Sequence, residues 1–521
     1  MLGGNSRLVP DLAVAAAIST VLVAASFLWQ GHTGFSLWDE GFLWYGVQRI
    51  HAGEVPIRDF MAYDPGRYYW SAAFAGMLGN DGIIAVRLAS AAFQAIGLAV
   101  GIALVLRSQI GSRWERLLFS FVAASLLLAW MVPRHKLFDV SASILLVGLL
   151  AFLLAQPSPR RQFLSGLGVG LLAVIGRNHG VYGAAASMLG IAWLHFEGRS
   201  ARGSLVGNLG AWLAGVATGF LPVLLMLVFV PGFATAFWES IVFLFENKAT
   251  NLPVPVPWPW AVPVSALPLP DAMRAILVGL FFLLPLLFGV GGLAALYLRH
   301  RTGRTTPPVV VASIFLALPY AHFAFSRADV SHLAQGIFPT LIGLLAIIAG
   351  LRPTLRWILL ALLAAAGTWT ILPMHPGWQC RATGQCVPIN VSDSVLSSDP
   401  GTARDIALIR SLDQQFAPAD TSLLAAPFWP GAYALLHKPS PVWEIYSLFP
   451  RGEAFERREI QRMDDHPPGF VIIFDHPLDG RDELRFRNTH PRFYQHIMDT
   501  YRRLPYDAPA NYEIYVREAQ R

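Results

Sequence analysis

Only 14% of the 521 residues are charged, and only two are cysteine. So little charge cannot cover a soluble protein of this length. With 54% hydrophobic residues, the chain reads as an integral membrane protein. Neither the spacing of Cys380 and Cys386 nor the histidines near them suit a metal site. A phosphate-cradling glycine loop, a nucleophile elbow and a zinc-protease helix are all missing, so cytoplasmic nucleotide hydrolysis has no motif behind it. There is no internal repeat and no low-complexity linker. A clear small-x-small cleavage site is also lacking after the first apolar run, where Ser26–Gln30 reads SFLWQ; that run is expected to be a retained span.

What is present is a series of apolar runs. They fall at Leu12–Trp29, Ile83–Leu106, Leu117–Val132, Val140–Leu154, Phe163–Ile175, Val181–Leu194, Leu205–Val230, Ala275–Leu298, Val309–Phe325, Leu333–Leu351 and Trp357–Leu372, about eleven spans by length. The net charge of +6 would suit nucleic acid, but the basic residues lie in short loops between these runs, which is how a membrane protein sets its orientation. Alternate loops hold Arg107, Arg113 and Arg116, then Arg160 and Arg161, Arg199 and Arg202, Arg299, Arg301 and Arg304, and Arg352 and Arg356. Those loops, and the N-terminus with Arg7, are expected in the cytoplasm. Everything after Leu372 is then expected outside, where Cys380 and Cys386 can close a small disulfide loop.

The expected organisation is a membrane domain over 1–374 and an extracytoplasmic domain over 375–521. In the tail, Ser422–Pro427, Gly469–Asp475 and Tyr512–Val516 read as strands. Thr402–Phe416, Gly452–His466 and Pro491–Arg503 read as amphipathic helices. The tail is therefore expected to be a small α/β domain.

Charges on the outer side carry the chemistry. Asp39 and Glu40 follow the first span, behind a Ser36-Leu-Trp-Asp39 capping spacing, with Leu43, Val47 and Ile50 on one face of a short helix. They could merely complement the helix dipole. A carboxylate at the mouth of a span more often has a task, and one ionised at neutral pH can take a proton from a hydroxyl. Tyr63-Asp64-Pro65-Gly66-Arg67-Tyr68-Tyr69-Trp70 follows in the same loop. Its aromatics suit an interface or a sugar face, and Arg67 suits either an anchor or a phosphate contact.

Three more basic clusters break the positive-inside pattern: Arg134, His135 and Lys136 before Asp139; Arg177 and His179; and Arg327 with Asp329 and His332. Singly, each could snorkel or pair locally. Together at one membrane level they suit a phosphate held at the bilayer surface. None of His135, His179 and His332 is four residues from another histidine or a cysteine, which disfavours a metal. A divalent cation held by Asp39 and Asp139 stays open as an alternative.

In these residues the chain resembles the GT-C glycosyltransferases, polytopic enzymes that use polyprenyl-phosphate sugars. It looks most like bacterial relatives of protein O-mannosyltransferase and of the lipid A aminoarabinose transferase. The group's acidic pair after the first span is matched by Asp39-Glu40. Its turn into Tyr-Tyr-Trp is matched by Pro65–Trp70, its later acidic residue by Asp139, and its basic residue closely followed by glycine by Arg177–Gly180. The chain departs from the group in carrying Asp64 before the proline, with Arg67 two residues past Pro65.

The resemblance implies an α-helical polytopic membrane protein with a GT-C-like core of about eleven transmembrane helices and an extracytoplasmic α/β domain. It implies sugar transfer, by inversion, at the periplasmic face of a bacterial inner membrane. A polyprenyl-phosphate sugar would be the donor, and a glycan, lipid or protein the acceptor. Asp39 would be the general base, with Glu40 and Asp139 orienting the acceptor or the cations. Arg67, Arg134, Lys136, Arg177 and Arg327 would hold the donor phosphate. Tyr63, Asp64, Tyr68, His179, Asp329 and His332 would line the substrate, and Pro231–Asp271 would cover it. The competing readings are a lipid-linked glycan flippase and a polymerase or ligase that uses a diphosphate-linked donor.

Overall fold

A computed structural model describes residues 8–108, 111–199, 204–247, 251–418, 421–506 and 511–517. Arg7 and Arg202 of the orientation pattern, and part of the Pro231–Asp271 loop, lie outside the described residues. The chain packs as two compact units: Met1–Gln30, Ser90–Val230 and Ala249–Gln379 form one, and Gly31–Ala89, Pro231–Lys248 and Cys380–Arg521 form the other. The tail shares its unit with the first long loop.

The first unit is helical, and helices occupy the expected apolar runs. Among the described residues, six helices are long and apolar enough to cross a bilayer, or eight if each of two bent pairs counts as one crossing. The bent pairs are Leu205–Gly219 with Leu221–Phe229 and Val330–Gly336 with Phe338–Ala349, each turning by 57°. Pro222 and Pro339 sit in the first turn after each break, where they withhold the N–H that a continuous helix would need. The shorter helices Arg113–Trp130, Pro159–Ile175 and Arg177–Phe196 fill the remaining expected runs. Ser112, Ser158 and Ser204 cap their helices by accepting backbone N–H groups.

Leu137–Ala155 is apolar all round and buried along most of its length, as suits a central helix. Pro159–Ile175 and Leu205–Gly219 cross at backbone distance. A Cβ on Gly166 would lie 2.0 Å from the Trp212 carbonyl oxygen, and one on Gly215 would lie 2.1 Å from that of Phe163. Such small-residue contacts are how helices associate in lipid. Large apolar side chains, among them Leu28, Val206, Phe229 and Leu298, stand exposed on these helices, a surface for lipid rather than water. This is a multi-pass membrane protein.

In the second unit, strands β1 (Val387–Val391) and β2 (Ser394–Ser398) form an antiparallel hairpin. Strands β3 (Leu423–Ala426), β4 (Phe470–Phe474), β5 (Arg502–Arg503) and β6 (Tyr512–Val516) make one sheet in the order β3-β4-β6-β5, with β3 parallel to β4 and the other pairs antiparallel. The wholly apolar β3 (LLAA) and β4 (FVIIF) suit strands covered on both faces. Leu424, Val471 and Ile473 pack with Met463, Phe493 and Ile497 from the flanking helices Glu453–Asp465 and Pro491–Thr500. Cys380 and Cys386 are bonded to each other, with 5.2 Å between their Cα atoms.

The first long loop is built into this unit by a close crossing. Helix Asp39–His51 packs on helix Pro430–Leu436, where a Cβ on Gly41 would lie 2.3 Å from the Gly431 nitrogen. Around that contact the Gly431 N–H donates to the Leu37 carbonyl (2.8 Å), and the Ser440 N–H to the Tyr45 hydroxyl (2.9 Å). Trp443 donates its indole N–H to the Ile57 carbonyl and accepts the Met61 N–H at its own carbonyl, both at 2.9 Å.

Candidate active site

Asp39 opens its helix with its N–H on the Ser36 hydroxyl at 3.1 Å, as the capping spacing implied. Its Oδ1 accepts a hydrogen bond from the Tyr446 hydroxyl, also at 3.1 Å. The Tyr446 ring packs edge-on against Phe42 at 5.6 Å, and Phe42 packs against Tyr63 at 4.9 Å. The Arg67 guanidinium lies over the Tyr63 ring, 4.7 Å from its centre, near enough for a cation–π attraction.

Tyr68 is fully buried, and its hydroxyl accepts the Tyr63 N–H at 3.1 Å. Asp64 occupies the N-cap position of helix Pro65–Leu78, with Pro65 at its first position, where proline costs nothing. One continuous group in the second unit thus holds Asp39, Tyr446, Phe42, Tyr63, Arg67 and Tyr68.

Glu40 is placed differently from its neighbour. Its two oxygens take the Nε and Nη2 of Arg87 at 2.9 and 2.8 Å, a buried fork. Arg87 also donates to the carbonyls of Gly31 (2.7 Å) and Gly34 (2.6 Å). Two charges and two backbone acceptors satisfy one another there. Glu40 is thus tied to Arg87, a cation that was not singled out from the sequence.

The first unit gathers the other basic clusters. The Oδ1 of Asp139 lies 3.0 Å from Nε2 of His179, whose Nδ1 lies 2.8 Å from the Tyr320 hydroxyl. Phe323 lies against His179 (6.4 Å) and His332 (6.1 Å), so two of the three clusters meet at one aromatic ring. Asp329 takes Arg327 Nε on one oxygen and His332 Nδ1 on the other, both at 2.9 Å, and caps the His332 N–H. Arg327 also donates to the Leu252 carbonyl at 3.1 Å. Arg134 donates to the Gln30 carbonyl at 2.7 Å. Lys136 ends a short 3-10 turn before helix Leu137–Ala155, and Arg177 begins helix Arg177–Phe196 after Gly176. Both are half-buried.

Among the described residues no group of three His, Cys, Asp or Glu is placed to hold a metal ion.

Three partners were not singled out from the sequence. Tyr446 lies in a tail loop. Arg87 and Tyr320 sit inside apolar runs, where a lone polar residue is itself a signal.

No family model matches the chain, and no curated protein sequence matches it. Solved structures do. ArnT from Cupriavidus metallidurans bound to undecaprenyl phosphate is 14% identical, with a TM-score of 0.55, and the likeness covers 99% of each chain. ArnT of the same organism in the apo state is 13% identical, with a TM-score of 0.54 over 96% of this chain and 97% of that one. The chain shares the fold of these ArnT structures. The chain combines several apolar helices with a small C-terminal sheet region, as the sequence implied.

Proposed function

We propose that this protein is a membrane glycosyltransferase that moves a sugar from a polyprenyl-phosphate donor to an acceptor hydroxyl, with Asp39 as the general base. The observation that carries the reading is the Asp39 carboxylate fixed at the start of its helix, in one group with Arg67 and three tyrosines, within a GT-C fold. ArnT of similar fold binds undecaprenyl phosphate, which supports a lipid phosphate as the carrier.

In the proposed step the acceptor oxygen attacks the anomeric carbon and gives its proton to Asp39. The bond from that carbon to the phosphate oxygen breaks, and its electron pair leaves with the lipid phosphate. Attack and departure on opposite faces invert the anomeric centre. The leaving phosphate keeps a charge that cations can match, so electrostatic stabilisation replaces a strong acid. Arg67, Arg134, Lys136, Arg177 and Arg327 are the assigned cations, with Asp139 and Glu40 orienting. Tyr63, Asp64, Tyr68, His179, Asp329 and His332 are assigned to the substrate. The positive-inside pattern supports a periplasmic reaction at a bacterial inner membrane.

The test uses the full chain in detergent with undecaprenyl-phosphate hexoses and pentoses, reading release of undecaprenyl phosphate. Asp39→Asn should reduce release at least a hundredfold, the low end for a general base, and leave donor binding within about twofold. Release that persists in Asp39→Asn rejects it as the base. Absence of release by the parent protein with every donor rejects the transferase reading.

A further inference from the structure

We infer that Tyr446, a residue of the C-terminal domain, is a positioning residue for Asp39, so that this domain takes part in the chemistry as well as any handling of acceptor. The inference rests on the reading of Asp39 as base and deepens it.

Tyr446 reaches Asp39 from far along the chain, and its hydroxyl donates to Oδ1 at 3.1 Å. A carboxylate has two oxygens, and a bond to one of them fixes the rotation of the group. The other oxygen is then aimed rather than swept through a range of directions. The donor is itself fixed. The Tyr446 ring is wedged between Phe42 (5.6 Å) and Phe428 (5.8 Å). Phe428 also packs on Trp38, the residue before Asp39, at 5.1 Å.

Next along the chain from Tyr446, the Ser447 N–H donates to the Pro427 carbonyl at 2.8 Å, tying the loop to the end of β3. The glycine crossing of Gly41 on Gly431 leaves no room for the helix that carries Asp39 to slide. The carboxylate and the phenol are therefore held in register by backbone contacts on both sides.

A merely structural tyrosine would give stability through its ring. A positioning tyrosine gives rate through its hydroxyl. Tyr446→Phe separates these, because it keeps both ring contacts and removes only the donor.

The experiment is steady-state release of undecaprenyl phosphate by the full chain, using whichever undecaprenyl-phosphate sugar the parent turns over. Tyr446→Phe should lower kcat about tenfold, the scale of one hydrogen bond to a charged group. The KM for donor should stay within about twofold, and the melting temperature within about two degrees.

In an Asp39→Glu background, where the carboxylate is moved by one methylene, adding Tyr446→Phe should cost less than about twofold, since coupled residues are not additive. If the parent is active and Tyr446→Phe turns over at the parent rate, the assignment is overturned while the transferase reading stands. An equal tenfold loss from Tyr446→Phe in both backgrounds also overturns it, because the tyrosine would then act independently of Asp39. A parent inactive on every donor removes the transferase reading, and this assignment with it.

Discussion

His179 Nε2 lies 3.0 Å from Asp139 Oδ1, and both side chains are buried. The other ring nitrogen meets the Tyr320 hydroxyl at 2.8 Å, so a carboxylate, an imidazole and a phenol from three helices close on one another. In a helix bundle such a chain ties helices together through groups that have no water to fall back on. Asp139→Ala leaves the imidazole facing an apolar gap and should cost about 2–3 kcal/mol, the scale of a hydrogen bond to a charged group. Asp139→Asn keeps an acceptor in place and should cost less than half of that. Thermal unfolding of both variants in detergent reads the difference. Equal losses would mean that the His179 contact contributes nothing.

Arg87 answers Glu40 with a two-point fork and gives two further N–H groups to the carbonyls of Gly31 and Gly34. Arg87→Ala strands a buried carboxylate and two buried carbonyls together. The expected loss is about 3–5 kcal/mol, the cost of breaking a buried pair from one side. Arg87→Lys should recover little, since one ammonium cannot reproduce the fork. The Arg87→Ala/Glu40→Ala double variant should be more stable than Arg87→Ala alone, because the stranded charge is gone. A protease-protection assay on the Gly31–Ala89 segment checks the order. A double variant worse than the single one would show that the pair is not what holds the loop.

Much of this was legible in the chain. The three tail strands, read as short apolar runs, and the three amphipathic tail helices appear at those places, because a short apolar run suits a strand and a one-sided helix shows its period in sequence. The hairpin β1–β2 and the helix Pro430–Leu436 were not read. Val395 points outward from the hairpin and serine fills much of β2, so no period stands out. Pro430–Leu436 is buried almost throughout and shows no polar face. Asp39 stood out because charge at a span mouth is costly. Its partner Tyr446 did not, since a tyrosine in a soluble loop is unremarkable until the fold brings 407 residues of separation to one hydrogen bond. Glu40 looked like the twin of Asp39. Only the helical turn, which points adjacent side chains about 100° apart, sends it to Arg87 instead.

Glu444 is buried in the C-terminal domain between His490 (2.7 Å) and Arg451 (2.6 Å). Burial alone would raise its carboxyl, but the charges of His490 and Arg451 outweigh burial and hold it below its ordinary 4.5. Protonation therefore favours the unfolded chain. The contribution of Glu444 is whole above pH 4.5 and drains away as the pH falls below that through the folded value. Glu444→Gln should be destabilised by about 3 kcal/mol at pH 7. The gap between the two melting temperatures should close as the buffer is taken from pH 5 toward pH 3. A gap that is constant over that range would show that the carboxylate's charge is not what stabilises the domain.

Arg177 stands at the first turn of helix Arg177–Phe196, two residues before the buried His179. The end of a helix that presents backbone N–H groups already favours an anion, and a guanidinium there adds a planar, two-pronged donor. A phosphate gains from both features, whereas a neutral acceptor sugar gains from neither. Arg177→Ala should therefore weaken binding of undecaprenyl phosphate about tenfold, the scale of one charge-assisted hydrogen bond. Arg177→Lys should restore part of the loss, because the charge returns without the fork. The loss should shrink as salt is raised, since a partly exposed ion pair is screened. Titration of the full chain in nanodiscs with undecaprenyl phosphate, set against undecaprenol as the uncharged control, separates charge from chain. If Arg177→Ala weakens both lipids equally, the arginine shapes the lipid groove and does not recognise the phosphate.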